Sequence, residues 1–271
     1  MTSSQTSSPY ETGVSRSRIE QALIAAEKNL DHLEPTDLGM LEDFHTMGRI
    51  ATGQLVDLVD IGPDTAVLDA GTGIGGTARY LAQRFGCKIA AVDLTEEYCA
   101  VAQWLNQLVG LDDLIAVRRA DVTELPFADG AFQVAFSQHV QMNVADKVGL
   151  YREARRVLAD GGQLAIWDIA AGVSGPPDYP LPWADLPEHS HLAAPDRLRA
   201  AIESAGFTIE HWNDRTEDAA TTMKMVLSWP PDPLGLHAFV PRFAERAEHL
   251  TDALADGRLR AIQVVARATS A

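Results

Sequence analysis

A run of small residues, Gly71-Thr72-Gly73-Ile74-Gly75-Gly76, follows the apolar Val67-Leu68 and the acid Asp69. Glycines at such a bend let the backbone turn sharply and approach a ligand without Cβ clashes. Gly71, Gly73 and Gly76 keep GxGxxG spacing, which fits a nucleotide cofactor when a strand precedes it and a helix follows. Two more acids give the bend chemical partners. Asp93 closes the next apolar stretch, with Leu94 beside it. A carboxylate about 20 residues past such a bend can accept hydrogen bonds from both hydroxyls of a ribose. Asp121 follows a third apolar stretch and can accept from an adenine amino group while Val122 packs on the ring. Asp93 suits NAD and S-adenosylmethionine (SAM) equally. The acid before the glycines and the Asp121-Val122 pair favour SAM.

These residues need elements to position them. Apolar stretches at 65–69, 88–92, 114–118, 132–137 and 163–168 read as strands, separated by helices over 77–85, 95–109 and 146–158. Thr95 is placed to cap one helix, and Gly161-Gly162 to close another. Apolar strands alternating with helices of this length imply a parallel sheet covered on both faces. Right-handed crossovers then make it doubly wound, with ligands at the carboxyl ends of the strands. Ahead of the core, helices are expected over 15–29, from Thr36 to Phe44 and over 47–59; residues 1–13 read as a disordered tail. After it come a loop over 171–195 with six prolines, a helix over 195–205 and a strand over 207–212. Two helical stretches, 218–227 and 237–254, precede a last strand over 258–266. The expected organisation is a tail (1–13), an N-terminal helical lid (14–62), a cofactor-binding core (63–170), and the rest of the core with a substrate cap (171–271).

Composition narrows the partners. The 271 residues include 38 acidic and 22 basic side chains, a net charge of −16. Such a surface repels phosphate backbones, so nucleic acid is disfavoured as a partner. The cysteines are Cys87 and Cys99, without CxxC or Cys/His spacing, which argues against a structural zinc site. No metal is implied. No apolar run reaches the length of a membrane span, and the polar start MTSSQTSSP does not read as a signal peptide. A cytoplasmic protein without a membrane partner is expected; a homodimer is compatible with the sequence.

The segments VLDAGTGIGG, AAVDL and RADVTELPFADGAFQVAFSQH resemble, in order and spacing, the class I SAM-dependent methyltransferases. Within them the chain is similar to small-molecule enzymes of bacterial secondary metabolism, including sugar O-methyltransferases. The resemblance covers about residues 45–170. It implies a Rossmann-like seven-stranded sheet whose last strand is antiparallel. It places Asp69, Gly71, Thr72 and Gly73 at the amino-acid part of SAM, Asp93 at the ribose, and Asp121 with Val122 at the adenine. Gly71-Thr72 stands where such enzymes often carry Gly-Cys or Gly-Ser.

In this fold the segment from Ser137 and Gln138 to Asn143 lies beside the transferable methyl group. Methyl transfer is an in-line displacement, so the protein must align the nucleophile and, for a hydroxyl or ammonium acceptor, remove a proton. His139 suits the base because an imidazole titrates near neutrality; the alternative is a histidine that merely bonds a neighbouring loop. Similar sugar O-methyltransferases carry such a histidine and an acid after the fifth strand, here Asp168, which orients His139, holds the acceptor or caps the strand. His45 is expected to face the substrate from the lid, with Arg49 near the SAM carboxylate or an acidic substrate. Trp183 and Trp229, with Met223, Met225, Phe239 and Phe243, are candidates for an apolar cap over the acceptor. The leading expectation is methyl transfer to the hydroxyl oxygen of a small molecule with His139 as general base; the alternatives are N- or C-methylation, a nicotinamide-dependent oxidoreductase, and a SAM-binding protein without catalysis.

Overall fold

The computed structural model describes residues 10–42 and 44–270. Its framework is a seven-stranded sheet of order β3-β2-β1-β4-β5-β7-β6. The strands are β1 (Ala66–Ala70), β2 (Lys88–Asp93), β3 (Ile115–Arg119), β4 (Phe132–Gln138), β5 (Leu158–Ala171), β6 (Phe207–Asp214) and β7 (Leu259–Ala268). β1 to β5 pair in parallel, and β7 runs antiparallel between β5 and β6. This is the Rossmann-like fold of class I methyltransferases.

Alternation along the strands sorts the core into two layers, because successive side chains point to opposite faces. Val67, Val134 and Phe136 join one apolar cluster with α3 (Gly48–Val56), α4 (Gly76–Phe85) and α9 (Phe243–Ala255). Leu68, Ala135 and Ile166 join the other, against α6 (Lys147–Val157) and α7 (Pro195–Ser204). A third cluster packs α1 (Ser15–Ala25) and the short α2 (Gly39–Glu42) on α5 (Glu96–Leu108) through Ile19, Leu23, Leu41, Val101 and Leu105. α8 (Thr216–Leu227) lies beside α9.

Several local expectations change. Gly161-Gly162 does not stop a helix. It lies in an irregular stretch of β5, where the partners of Phe132 and Val134 jump from Leu158 to Gln163, because α6 has already ended at Val157. The first helix stops at Ala25, and the stretch over 237–254 is helical from Phe243 after a 3-10 turn at Leu236–Ala238. Thr95 makes no side-chain cap; its amide instead donates to Asp93. Glu34, not Thr36, forms the capping box, with Asp37. Residues 1–9 of the expected tail lie outside the described residues. Residues 10–13 pack on the fold, with the Gly13 amide 2.7 Å from Glu97 Oε2. Among the described residues no helix is long and apolar enough to cross a membrane.

Candidate active site

The carboxyl ends of β1, β2 and β4 open into a cavity of about 780 Å³. At its floor Asp69 ends β1, 2% exposed, and accepts from the Thr72 hydroxyl at 2.6 Å. The chain then turns: the amides of Gly71 and Thr72 donate to Val92 O, and the Gly73 amide donates to Asp93 Oδ2 at 2.9 Å. Gly71 (φ +82°) and Gly73 (φ +56°) are left-handed, a conformation costly for residues with a Cβ. Asp93 Oδ1 accepts from the Thr95 amide. Burial pushes the Asp69 carboxyl up to about 6, partly offset by the Thr72 hydroxyl, and also raises Asp93. Two desolvated acids side by side make a site that gains from a cationic ligand. Asp121 is exposed at the rim, with Thr123 donating to it, and Val122 and Leu94 also line the cavity.

Gln138 ends β4 and projects into the same cavity. Its Nε2 lies 2.6 Å from His45 Nε2 and 3.1 Å from Thr52 Oγ1, whereas its Oε1 is buried without a partner. His45 Nδ1 lies 3.3 Å from the Thr46 carbonyl, which only an N–H can satisfy, so His45 Nε2 is an acceptor and Gln138 must present its amine to it. The orphan Oε1 therefore looks for a donor. An orphan acceptor, two desolvated carboxylates and a left-handed glycine turn fit the ammonium, sulfonium and ribose of SAM.

His139 follows in a left-handed conformation (φ +55°). Its Nε2 accepts from the Thr46 amide at 3.3 Å and lies 3.2 Å from Thr46 Oγ1. That hydroxyl accepts from Trp167 Nε1 at 2.9 Å, so its own proton points at His139. Nε2 is thus filled, and Nδ1 carries the ring proton. Burial, with the nearby His45 ring 6.0 Å away, holds the imidazole neutral, its pKa well below the usual value. Asp168 does not meet His139. It is fully buried on β5, where Oδ2 accepts from the amides of Val140 and Gln141, both at 3.0 Å, and Oδ1 from that of Ile169.

Trp183 forms part of the cavity wall, 2% exposed, with Nε1 donating to Ser190 Oγ at 2.9 Å. Arg246 on α9 pins this loop through Leu181 O and an ion pair with Asp185. Trp229 is different: it is 53% exposed and outside the cavity, because the segment after α8 turns toward solvent. Met223, Met225, Phe239 and Phe243 also lie outside the lining; Phe239 packs under α1 instead. Arg49 pairs with Glu42, whose carboxylate also meets Arg79.

Residues without a sequence motif complete the wall. Tyr10 stands edge-on to Phe44 and Tyr98, and its hydroxyl donates to Asn143. Only a lone tyrosine beside a polar tail signals it in the sequence. Acids outnumber bases around the cavity: Arg119 is the one Arg or Lys among the described lining residues, and it is engaged by Leu94 O and Glu96.

Residues 68–166 match the family described as "Methyltransferase domain". The chain is 35% identical over 156 residues to a sarcosine/dimethylglycine N-methyltransferase of Halorhodospira halochloris, covering 58% of this chain and 56% of that protein. It is 30% identical over 176 residues to a glycine/sarcosine/dimethylglycine N-methyltransferase of Actinopolyspora halophila, covering 65% and 31%. The chain thus spans about half or less of the length of these curated relatives. A phosphoethanolamine N-methyltransferase 2 of Haemonchus contortus, solved with SAM, superposes with a TM-score of 0.70 at 17% identity, over 93% of this chain and 60% of that one. These relatives are named as N-methyltransferases, whereas the sequence resemblance ran toward sugar O-methyltransferases. Residues 68–166 thus match a methyltransferase domain, and they are carried on the class I Rossmann-like sheet.

Proposed function

We propose that the protein is a SAM-dependent methyltransferase whose acceptor is the nitrogen of a small amine. The observation that carries the choice of nitrogen is His139 Nε2, which already accepts from Thr46. A hydroxyl acceptor needs a base with an unengaged lone pair to take its proton in the transition state. An amine in its neutral form attacks with its own lone pair and can shed a proton to water afterwards. In this reading His139 is a donor: its Nδ1–H holds an oxygen of the acceptor molecule and orients it, leaving the amine lone pair free to attack. The names of the relatives support the same choice.

SAM, when bound, supplies an electrophilic methyl group on a sulfonium. Asp69 and the turn at Gly71, Thr72 and Gly73 would hold its amino-acid part, with Gln138 Oε1 accepting from the ammonium. Asp93 would take the ribose hydroxyls, beside Leu94, and Asp121 with Val122 the adenine. Trp183, His45 and the aromatic rings of Tyr10 and Phe44 would enclose the acceptor and exclude water. Abundant carboxylates and a single engaged arginine favour a neutral or cationic amine over a phosphorylated one.

The test is transfer of isotopically labelled methyl from SAM to a panel: glycine, sarcosine, dimethylglycine, ethanolamine and phosphoethanolamine, against catechol and simple sugars. Label on an unphosphorylated amine is expected. Label on hydroxyl acceptors alone would refute the nitrogen assignment and return His139 to the role of base.

A further inference from the structure

The segment that follows β4 is held from both sides by two charges, one buried and one half-buried. From β5, Asp168 Oδ2 gathers the consecutive amides of Val140 and Gln141. From the start of α6, the Lys147 ammonium donates to the carbonyls of Gln141 and Val144. Gln141 is tied a third time, its amide Nε2 donating to Ile169 O. Neither charge belongs to a salt bridge among the described residues. Burial raises the Asp168 pKa to about 6 and lowers that of Lys147 to about 8, and each charge offsets part of the other's shift through the loop.

We propose that Asp168 and Lys147 are positioning residues, a charge clamp that fixes loop 139–144 and through it aims His139 at the acceptor and seats Val140 on the glycine turn. The proposal rests on the reading of His139 as the residue that orients the acceptor. Three observations support it. His139 stands at φ +55°, a backbone conformation that persists for such a residue when its surroundings over-determine it. The clamped amide of Val140 is the next one along the chain. The Val140 methyls in turn occupy the space beside Gly71, where an added Cβ would lie 2.3 Å from Cγ2. Loop, turn and imidazole are therefore one mechanical unit, and Asp168 and Lys147 are its fixed points. A carboxylate is needed because one oxygen must accept twice and the other once, with no hydrogen to place. A cation with more than one N–H is needed because two carbonyls converge on it.

The test compares Asp168→Asn, Lys147→Met and Lys147→Arg in the full chain. The readouts are amide hydrogen exchange at Val140 and Gln141, the imidazole NMR signal of His139, SAM affinity by calorimetry, and acceptor kcat and KM. Asp168→Asn is expected to speed exchange at both amides by about tenfold or more, to move the His139 signal, and to lower acceptor kcat/KM about tenfold to a hundredfold. Lys147→Met is expected to do the same although Lys147 touches neither those amides nor His139, while exchange in β1 and β2 stays unchanged. Lys147→Arg, which keeps the charge and the donors, is expected to restore most of both. Wild-type exchange and an unmoved His139 signal in Lys147→Met would overturn the clamp, even if Asp168→Asn fails to fold. Exchange and the His139 signal are read without an acceptor. Failure of the unaltered protein to methylate amines therefore counts against the proposed function and leaves the clamp standing.

Discussion

Val140 Cγ2 occupies the space that a side chain on Gly71 would need: a Cβ built there lies 2.3 Å from it. Gly71 also holds φ +82°, so two separate costs attach to any replacement. Gly71→Ala is expected to lose roughly 1–3 kcal/mol of stability from the contact and the backbone together, with SAM affinity falling alongside. Gly71→Ala combined with Val140→Ala should recover the steric part and leave the backbone part. Denaturant midpoints of the three proteins measure the division; equal midpoints for the single and double variants would show that the contact costs nothing.

Asp93 faces both ways, accepting from the Gly73 and Thr95 amides and lining the cavity. Asp93→Ala is expected to weaken SAM about tenfold to a hundredfold, the range for lost hydrogen bonds to a charged group. Calorimetry with SAM reads this directly. Unchanged affinity would remove Asp93 from the cofactor site.

Asp69 carries a pH signature. Its carboxyl is pushed up to about 6 in the folded chain by burial, from an ordinary value near 3.8. A raised acid contributes stability that is complete below about pH 4 and is lost as pH climbs through 6. Asp69→Asn removes that loss. The melting temperature of Asp69→Asn relative to the unaltered protein should therefore rise between about pH 4 and pH 6 and level off above that. SAM, a cation at its sulfonium, favours the ionised form, so its binding should tighten through the same window and release protons near pH 6. Calorimetry in buffers of different ionisation enthalpy detects that release, and a proton count of zero would contradict it.

Trp183 and Trp229 separate the two walls expected of the cap. Trp183→Phe keeps a ring but loses the bond to Ser190; acceptor KM should rise several-fold, with a stability loss of about 0.5–1.5 kcal/mol. Trp229→Ala should leave kcat and KM within experimental error, since that ring stands outside the cavity.

Arg79 is 1% exposed and binds Glu42, Asn106 Oδ1 and Ile74 O at once. Removing one partner of a buried pair costs about 3–5 kcal/mol, which is the expectation for Arg79→Met. Arg79→Met with Glu42→Gln should be less destabilised than Arg79→Met alone, because Glu42, which keeps its contact with Arg49, then no longer carries a buried charge that has lost the Arg79 guanidinium.

The sheet, the glycine turn and its acids were legible because they obey local rules: apolar stretches with period-2 or helical spacing, glycines where φ must be positive, acids at strand ends. Asp69, Asp93, Asp121, Gln138, His45, His139 and Trp183 all line one cavity. What could not be read depended on contacts between distant segments. The partner of Asp168 is a set of backbone amides 27 and 28 residues earlier, and no side-chain motif records an amide. The filled state of His139 Nε2 depends on Thr46, 93 residues away. Trp229 looked like a cap residue because its neighbours are apolar, yet hydropathy does not say which way a turn after α8 faces. The docking of Tyr10 was hidden by the serine-rich residues before it, whose composition masks a single aromatic anchor.

The antiparallel strand β7 has one more consequence. β6 pairs with β7 alone, and β5 has no neighbour on that side without it. Until residues 259–268 leave the ribosome, β6 has no backbone partner and one edge of β5 stays bare. A nascent chain of this protein therefore closes its sheet only once β7 has emerged, and the unsatisfied edge it carries until then is the surface that a chaperone would shield.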